Sequence, residues 1–189
     1  MSKKKKFARE SHVHMTEMVL PNDTNPLNNM MGGRLMHLID IASAIAAQRH
    51  SNRIVVTASA DNISFTYPIS LGDVVTLEAK VIRTFNSSME VHIRVWAEHL
   101  PTGKKVMTNE AFFTFVAVDQ SGKPIAVPEC VPETEEEKRL YDGALRRRQL
   151  RLVLAQRMKP EDAAELRSIF FSDSETETEK EIPKSKKKS

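Results

Sequence analysis

A single cysteine, Cys130, rules out an intrachain disulfide, so this 189-residue chain must hold its fold without a covalent staple. Such sparing use of cysteine suits a reducing compartment. Long apolar runs are missing as well. The most apolar stretch, residues 34 to 50, is interrupted by Arg34, His37 and Asp40 before it reaches the roughly 18 residues that a bilayer span requires. The opening MSKKKKFARES is charged but has no apolar segment behind it, so it is not expected to act as a secretory signal. The expected location is the cytoplasm, with no membrane association. Ligand spacing for a metal is also lacking, because histidines 12, 14, 37, 50, 92 and 99 do not cluster with carboxylates. No metal is expected.

Basic excess on the fold is the last absence. The sequence pI is near 9.0, yet the charge sits at the ends: five Lys or Arg against one Glu in residues 1 to 10, and five Lys against five acidic residues in 173 to 189. Of the 28 basic and 25 acidic residues, 18 and 19 remain between those ends. A nucleic-acid-binding domain carries its positive excess on the fold itself, so no nucleic-acid partner is expected. A hydrophobic content of 40% supports one domain with a real core, flanked by a basic arm (1–10) and a charged tail (173–189) that bury nothing and are expected to be disordered.

Residues 25 to 50, NPLNNMMGGRLMHLIDIASAIAAQRH, organise the rest. No proline or glycine breaks 34–50, alanine and leucine favour helix, and the apolar positions leave no broad polar face. This predicts an enclosed helix of about four to five turns. Into it the chain places one carboxylate, Asp40. An ionised group there is costly unless paired, hydrogen-bonded or used. Two readings stand. His37 and Arg34 lie three and six positions earlier on the same stripe and could make it a structural pair; alternatively, Asp40 is a general base or nucleophile in a dry groove.

A brief strand is expected over His12–Leu20, then a loop dense in turn formers. After the helix a β-rich half begins: 54–67 with an irregularity at Asp61 and Asn62, then 74–85, 89–100 and 106–119, joined by PISLGD, NSS and PTGKK. No crossover helices separate these strands, which excludes a parallel α/β sheet. The class is α+β, a sheet curled around one helix. Thr134 and Glu137 form a capping-box pattern ahead of a helix over 135–157. A shorter helix follows in 160–172. Arginines 146, 147, 148 and 151 either face solvent or meet a phosphate-bearing ligand or a neighbouring subunit.

Three blocks carry a family likeness: LPNDTNPLNNMMGGRLMHLIDIASAIAA, VVTASADNISFTYPISLGDVV and NEAFFTFVAVDQSGKPIAVPE. In order and spacing the chain resembles the hot-dog-fold acyl-CoA thioesterases from about residue 13 to 132, in the branch of small bacterial acyl-CoA thioester hydrolases and cytosolic two-domain enzymes. The resemblance implies a hot-dog domain over 11–132, with residues 133–172 a helical extension. It also implies pairing of units through their sheets, as a homodimer or trimer of dimers, with active sites at the subunit interface.

By the same resemblance Asn29, three positions before Gly32, and Asp40 are the catalytic pair, and Asp40 faces Asn29 across the interface. The chemistry is compatible with the residues: Asp40 can activate water or attack a thioester directly, and free N–H groups at Gly32 and Gly33 can bind an oxyanion. Coenzyme A enters as part of the substrate, not as a cofactor; Thr57 and the turn of Asn86, Ser87 and Ser88 stand where relatives hold it, and Arg83 is a candidate phosphate contact. Two other functions fit the residues less well. A hot-dog hydratase needs a histidine in the loop NPLNNMMGG, which has none. A non-catalytic acyl-CoA sensor or scaffold has no use for both Asn29 and Asp40.

Overall fold

Helix α1 (Gly32–Ser51) forms where the alanine- and leucine-rich stretch predicts it, two residues earlier at its start. It ends at Asn52, which adopts a left-handed conformation (φ 54°) and caps the last turn by donating its N–H to the Gln48 carbonyl at 2.7 Å. The computed structural model describes residues 4–61, 63–65 and 67–171.

Against α1 lies a five-stranded antiparallel sheet of order β2-β4-β5-β6-β3, with β2 Val13–Met18, β3 Ile54–Asp61, β4 Val74–Thr84, β5 Ser88–His99 and β6 Lys104–Val118. Alternation in β5 buries Met89, Val91, Ile93, Val95 and Ala97 in one core with Leu35, Leu38, Ile39, Ala42 and Ala46 of the helix. Phe113 and Phe115 of β6 complete it. The long strands fall where β-branched runs place them. Strand β3 is shorter than expected, and its register shift lies between Thr57 and Ser59 rather than at Asp61; Asn62 is outside the described residues.

The basic arm departs from expectation. Lys5–Phe7 form a strand, β1, paired parallel with β7 (Glu129–Val131). A 3-10 turn at Ala8–Ser11 follows, with Ala8 and Ser11 fully buried. The Ser11 hydroxyl accepts from Val81 N at 2.9 Å and donates to the Ala8 carbonyl at 2.7 Å. Backbone pairing needs no apolar side chains, so a lysine run can form it once a free strand edge is offered.

Helix α2 (Glu135–Leu154) begins with the predicted capping box: Glu137 N donates to Thr134 Oγ1 at 3.1 Å, and Thr134 N to Glu137 Oε2 at 3.3 Å. Its first turns meet the outer face of the sheet through Lys80–Glu137 (2.9 Å) and Arg94–Glu136 (3.0 Å). The chain divides into compact units at Tyr141 and Asp142. In the second unit the remainder of α2 is followed by a short 3-10 turn and α3 (Ala164–Phe171), and Leu166 N donates to the Gln149 side chain at 2.8 Å. The tail 173–189 lies outside the described residues.

Candidate active site

The loop ahead of α1 is held by its asparagines. Asn25 Oδ1 accepts from Leu27 N (2.9 Å) and Asn29 N (3.2 Å), an Asx turn that pins this oxygen. Asn28 takes the left-handed conformation (φ 58°) that asparagine tolerates, and its carbonyl accepts from Leu71 N. Asn29 pairs with Ser70, while Met30 N donates to the Ile69 carbonyl at 2.7 Å. The loop is thereby stitched to residues 69–71.

Between them lies a cavity of about 290 Å³, lined by Asn25, Asn29, Gly32, Leu35, Phe65 and Tyr67 among others. Met31 stands at the N-cap and contributes no capping side chain, so the first N–H groups of α1, at Gly32 in the cavity wall and at the adjoining Gly33, keep their donor capacity. A β-carbon at Gly32 would touch the Phe65 ring at 3.5 Å, an ordinary contact, and one at Gly33 would meet nothing within 4 Å. Neither glycine is required by packing within this chain.

Two turns along α1, Asp40 is only half-buried, and its Oδ1 accepts from the Thr57 hydroxyl of β3 at 2.8 Å. The expected stripe of three charged groups does not form. Arg34 turns back to Asp23, Nε to Oδ1 at 2.7 Å, and His37 is exposed. Asp40 therefore has a neutral partner rather than a cation, which leaves the carboxylate uncompensated and accessible. The enclosed helix predicted from sequence is enclosed on one side alone: His37, Asp40, Ile41, Ala44, Ile45 and Gln48 form a stripe of half-buried and exposed residues. Its apolar members are a face without a partner in a single chain.

The structure thus brings together Asn29 with Gly32, and Asp40 with Thr57, but not the two pairs. Eight residues of helix separate Gly32 from Asp40, about 12 Å of axial rise. The remaining expected residues lie elsewhere. Arg83 is committed internally, Nη1 donating to the Tyr141 carbonyl at 2.8 Å with its guanidinium over the Tyr141 ring at 4.2 Å. At the turn, the Asn86 and Ser87 carbonyls accept from Val127 N (3.0 Å) and Ala117 N (2.9 Å), and Ser88 is buried. Sequence reasoning missed Asn25, whose signal was its place before Pro26 and two residues ahead of Leu27, and missed Phe65 and Tyr67 as cavity walls.

Two buried titratable groups, Cys130 and His92, are unsuited to catalysis. Burial pushes the Cys130 thiol up to about 12, which keeps it from acting as a nucleophile. His92 is buried against Glu110 (2.6 Å) and stacks on Phe112; burial lowers its pKa more than the carboxylate raises it. Among the described residues no group of three His, Cys, Asp or Glu side chains is placed to hold a metal, and no helix is long and apolar enough to cross a membrane.

An antiparallel sheet packed along one long helix that carries a lone carboxylate is the arrangement of the hot-dog class. Residues 27–104 match the thioesterase superfamily. An uncharacterized acyl-CoA thioester hydrolase of Bacillus subtilis is 47% identical over 142 residues, 75% of this chain and 83% of the relative. Among solved structures, an apo hexameric acyl-CoA thioesterase is similar with a TM-score of 0.78 at 43% identity, covering 80% of this chain and 97% of the other. An acyl-CoA hydrolase from Staphylococcus aureus, in complex with butyryl coenzyme A, coenzyme A and coenzyme A disulfide, gives 0.74 at 36% identity, covering 87% and 99%. Alanine variants of that enzyme have also been solved at one asparagine, one aspartate and one threonine; the aspartate lies fifteen positions after the asparagine and the threonine seventeen after the aspartate. The chain belongs to the thioesterase superfamily, among its acyl-CoA thioester hydrolases.

Proposed function

We propose that this protein hydrolyses acyl-CoA to a free carboxylic acid and coenzyme A. Asp40 serves as the base that activates water or as the carboxylate that attacks the thioester carbon. Thr57 fixes the rotamer of that carboxylate through its hydroxyl, and the N–H groups of Gly32 and Gly33 receive the charge that develops on the carbonyl oxygen. The observation that carries this reading is the Thr57–Asp40 hydrogen bond at 2.8 Å: an accessible carboxylate held by a neutral donor, on a helix beside an edge strand. The intervals strengthen it, since Asn25, Asp40 and Thr57 are spaced fifteen and seventeen apart, as are the three substituted residues of the Staphylococcus aureus enzyme.

Those intervals favour Asn25 over Asn29 as the catalytic amide. With Oδ1 already accepting two backbone N–H groups, Asn25 can only offer its Nδ2 hydrogens to a substrate carbonyl or water. Asn29, chosen from the sequence, lines the same cavity, and its backbone holds the loop to Ser70.

A complete site takes two copies. Gly32, which lines one cavity with Asn25, lies about 12 Å along α1 from Asp40, too far for one small carbonyl group to touch both, so a second chain supplies one half. The surfaces suit this: Ile41, Ala44 and Ile45 of α1 form an incompletely covered stripe, and β3 is an edge strand exposing Ile54 (58%) and Val56 (49%). Edge pairing of β3 with its counterpart buries both. A homodimer is the smallest active assembly, and a trimer of dimers accords with the hexameric relative. The test is release of free thiol from saturated acyl-CoAs of increasing length. Turnover by the wild type and its loss in Asp40→Ala support the reading; no release from any chain length, or undiminished release in Asp40→Ala, overturns it.

A further inference from the structure

A carboxylate and a histidine that line no cavity hold the turn on which the Asn25 loop rests. Strand β4 begins at Val74, opposite Glu98 of β5, so the residues just beyond that pair, Asp73 and His99, meet at the end of the sheet. Asp73 is buried and its carboxylate is shared: Oδ2 accepts from Ser70 N at 2.9 Å, and Oδ1 lies 2.9 Å from His99 Nδ1. An ionised carboxylate can only accept, so His99 donates from Nδ1. The His99 carbonyl accepts in turn from Thr102 N (3.1 Å) and Gly103 N (2.9 Å), which ties this residue into the β5–β6 turn.

The turn at residues 70–73 closes through Asp73 N to the Ser70 carbonyl at 3.0 Å, with Gly72 (φ 85°) supplying the positive angle at its third position. Val19, just past β2, is clamped to it, accepting from Gly72 N at 3.0 Å and donating to the Asp73 carbonyl at 2.9 Å. On the side of the site, Leu71 N donates to the Asn28 carbonyl at 2.8 Å, and Ser70 is bridged to Asn29. Asn29 N is held by Asn25 Oδ1 at 3.2 Å. A chain of bonded residues thus runs from His99 through Asp73, Ser70 and Asn29 to Asn25.

We propose that Asp73 and His99 are positioning residues that hold the Asn25 loop in register through this turn. The role of Asn25 in turnover rests on the hydrolase reading above. Two donors on opposite oxygens lock the Asp73 carboxylate in one rotamer, and the locked carboxylate fixes Ser70 N beneath the loop. Without the imidazole, Oδ1 loses its donor and the carboxylate is free to rotate away from Ser70 N. The loop then shifts, and the Nδ2 hydrogens of Asn25 no longer point at one place.

The test compares His99→Ala with His99→Asn, which keeps an N–H close to the place of Nδ1; the side chain is half-exposed, so neither opens the core. In thiol-release kinetics, kcat should fall about tenfold in His99→Ala at constant KM and recover in His99→Asn. With Asn25→Ala already present, His99→Ala should cost no more than about twofold, because nothing is left to position. An equal loss in both backgrounds overturns the proposal, as does no loss in either. Hydrogen exchange reads the coupling without turnover: the Met30 and Leu71 amides, bonded across the loop and turn, should exchange about tenfold faster in His99→Ala and return to wild-type rates in His99→Asn. Unchanged exchange overturns the proposal whatever the activity; faster exchange in a protein whose wild type releases no thiol upholds it and removes the hydrolase reading alone.

Discussion

The two ends of α1 are built on opposite principles. At its C-terminal end the capping groups are engaged within the chain: Asn52 turns left-handed to cap the last turn, and Ser51 Oγ returns to the Ala47 carbonyl at 2.8 Å. Lys6 and Arg49 bind nearby carbonyls, and the fully buried His50 pairs Nε2 with the Pro128 carbonyl at 3.1 Å. At the N-terminal end the cap is a methionine with no polar atom to offer, and the helix opens onto a cavity flanked by asparagines. One end anchors the fold and the other keeps its hydrogen-bonding capacity for a ligand. On the proposed function, a single helix serves the core at one end and the chemistry at the other.

Substitutions at the two ends should therefore separate activity from stability. Asp40→Ala removes the base or nucleophile and should lower the rate of thiol release by about three orders of magnitude, with the melting temperature nearly unchanged. Asn25→Ala should cost about a hundredfold in kcat/KM, the loss typical of an oxyanion donor, whereas Asn29→Ala should cost less than about tenfold because only its backbone is bonded in the loop. A larger loss at Asn29 would return the catalytic role to that residue. At the anchored end, His50→Ala leaves a hole and an unpaired carbonyl; urea titration should show a loss of about 3 kcal/mol, with turnover by the folded protein intact.

Thr57→Ala frees the Asp40 carboxylate to rotate. Its expected effect is about a tenfold fall in kcat at constant KM, recovered in Thr57→Ser. The smallest effect is on stability against pH. Burial, the dominant cause, lowers the pKa of both His50 and His92, so the unfolded chain takes up those protons first. Their contribution is present in full above about pH 6.5 and is lost as pH falls from there through the lower folded values, at no more than about 1.4 kcal/mol per pH unit for each histidine. Stability curves between pH 7.5 and 5 should fall less steeply in His50→Phe; an unchanged slope would remove His50 from the account.

Much of the architecture was legible because long elements repeat one signal many times. The alternation of β5, the β-branched runs of β4 and β6, and the uninterrupted alanine-rich stretch of α1 each fix an element, and the Thr134–Glu137 pattern marks the start of α2 through chemistry local to four residues. What sequence could not supply were contacts that depend on partners distant in the chain. Strand β1 exists because β7 offers an edge, which a run of lysines does not announce. Thr57 reaches Asp40 only because β3 doubles back along α1. Arg83 was available for a phosphate until Tyr141 met it. The choice among Asn25, Asn28 and Asn29 was weakly marked in the sequence, since each suits a turn and only the fold tells which oxygen is already engaged. The helix looked enclosed because its outward stripe is nearly as apolar as its inward one; in the proposed dimer that stripe lies against another copy.

Complementation between two inactive variants tests the shared site most directly. Asp40→Ala and Asn25→Ala proteins are unfolded together in equal amounts, refolded, and assayed for thiol release. With each site built from both chains, half the dimers are mixed and carry one intact site of two, so about a quarter of wild-type activity should return. A mixture that reassembles yet stays as inactive as its parents would contradict a site made by two copies.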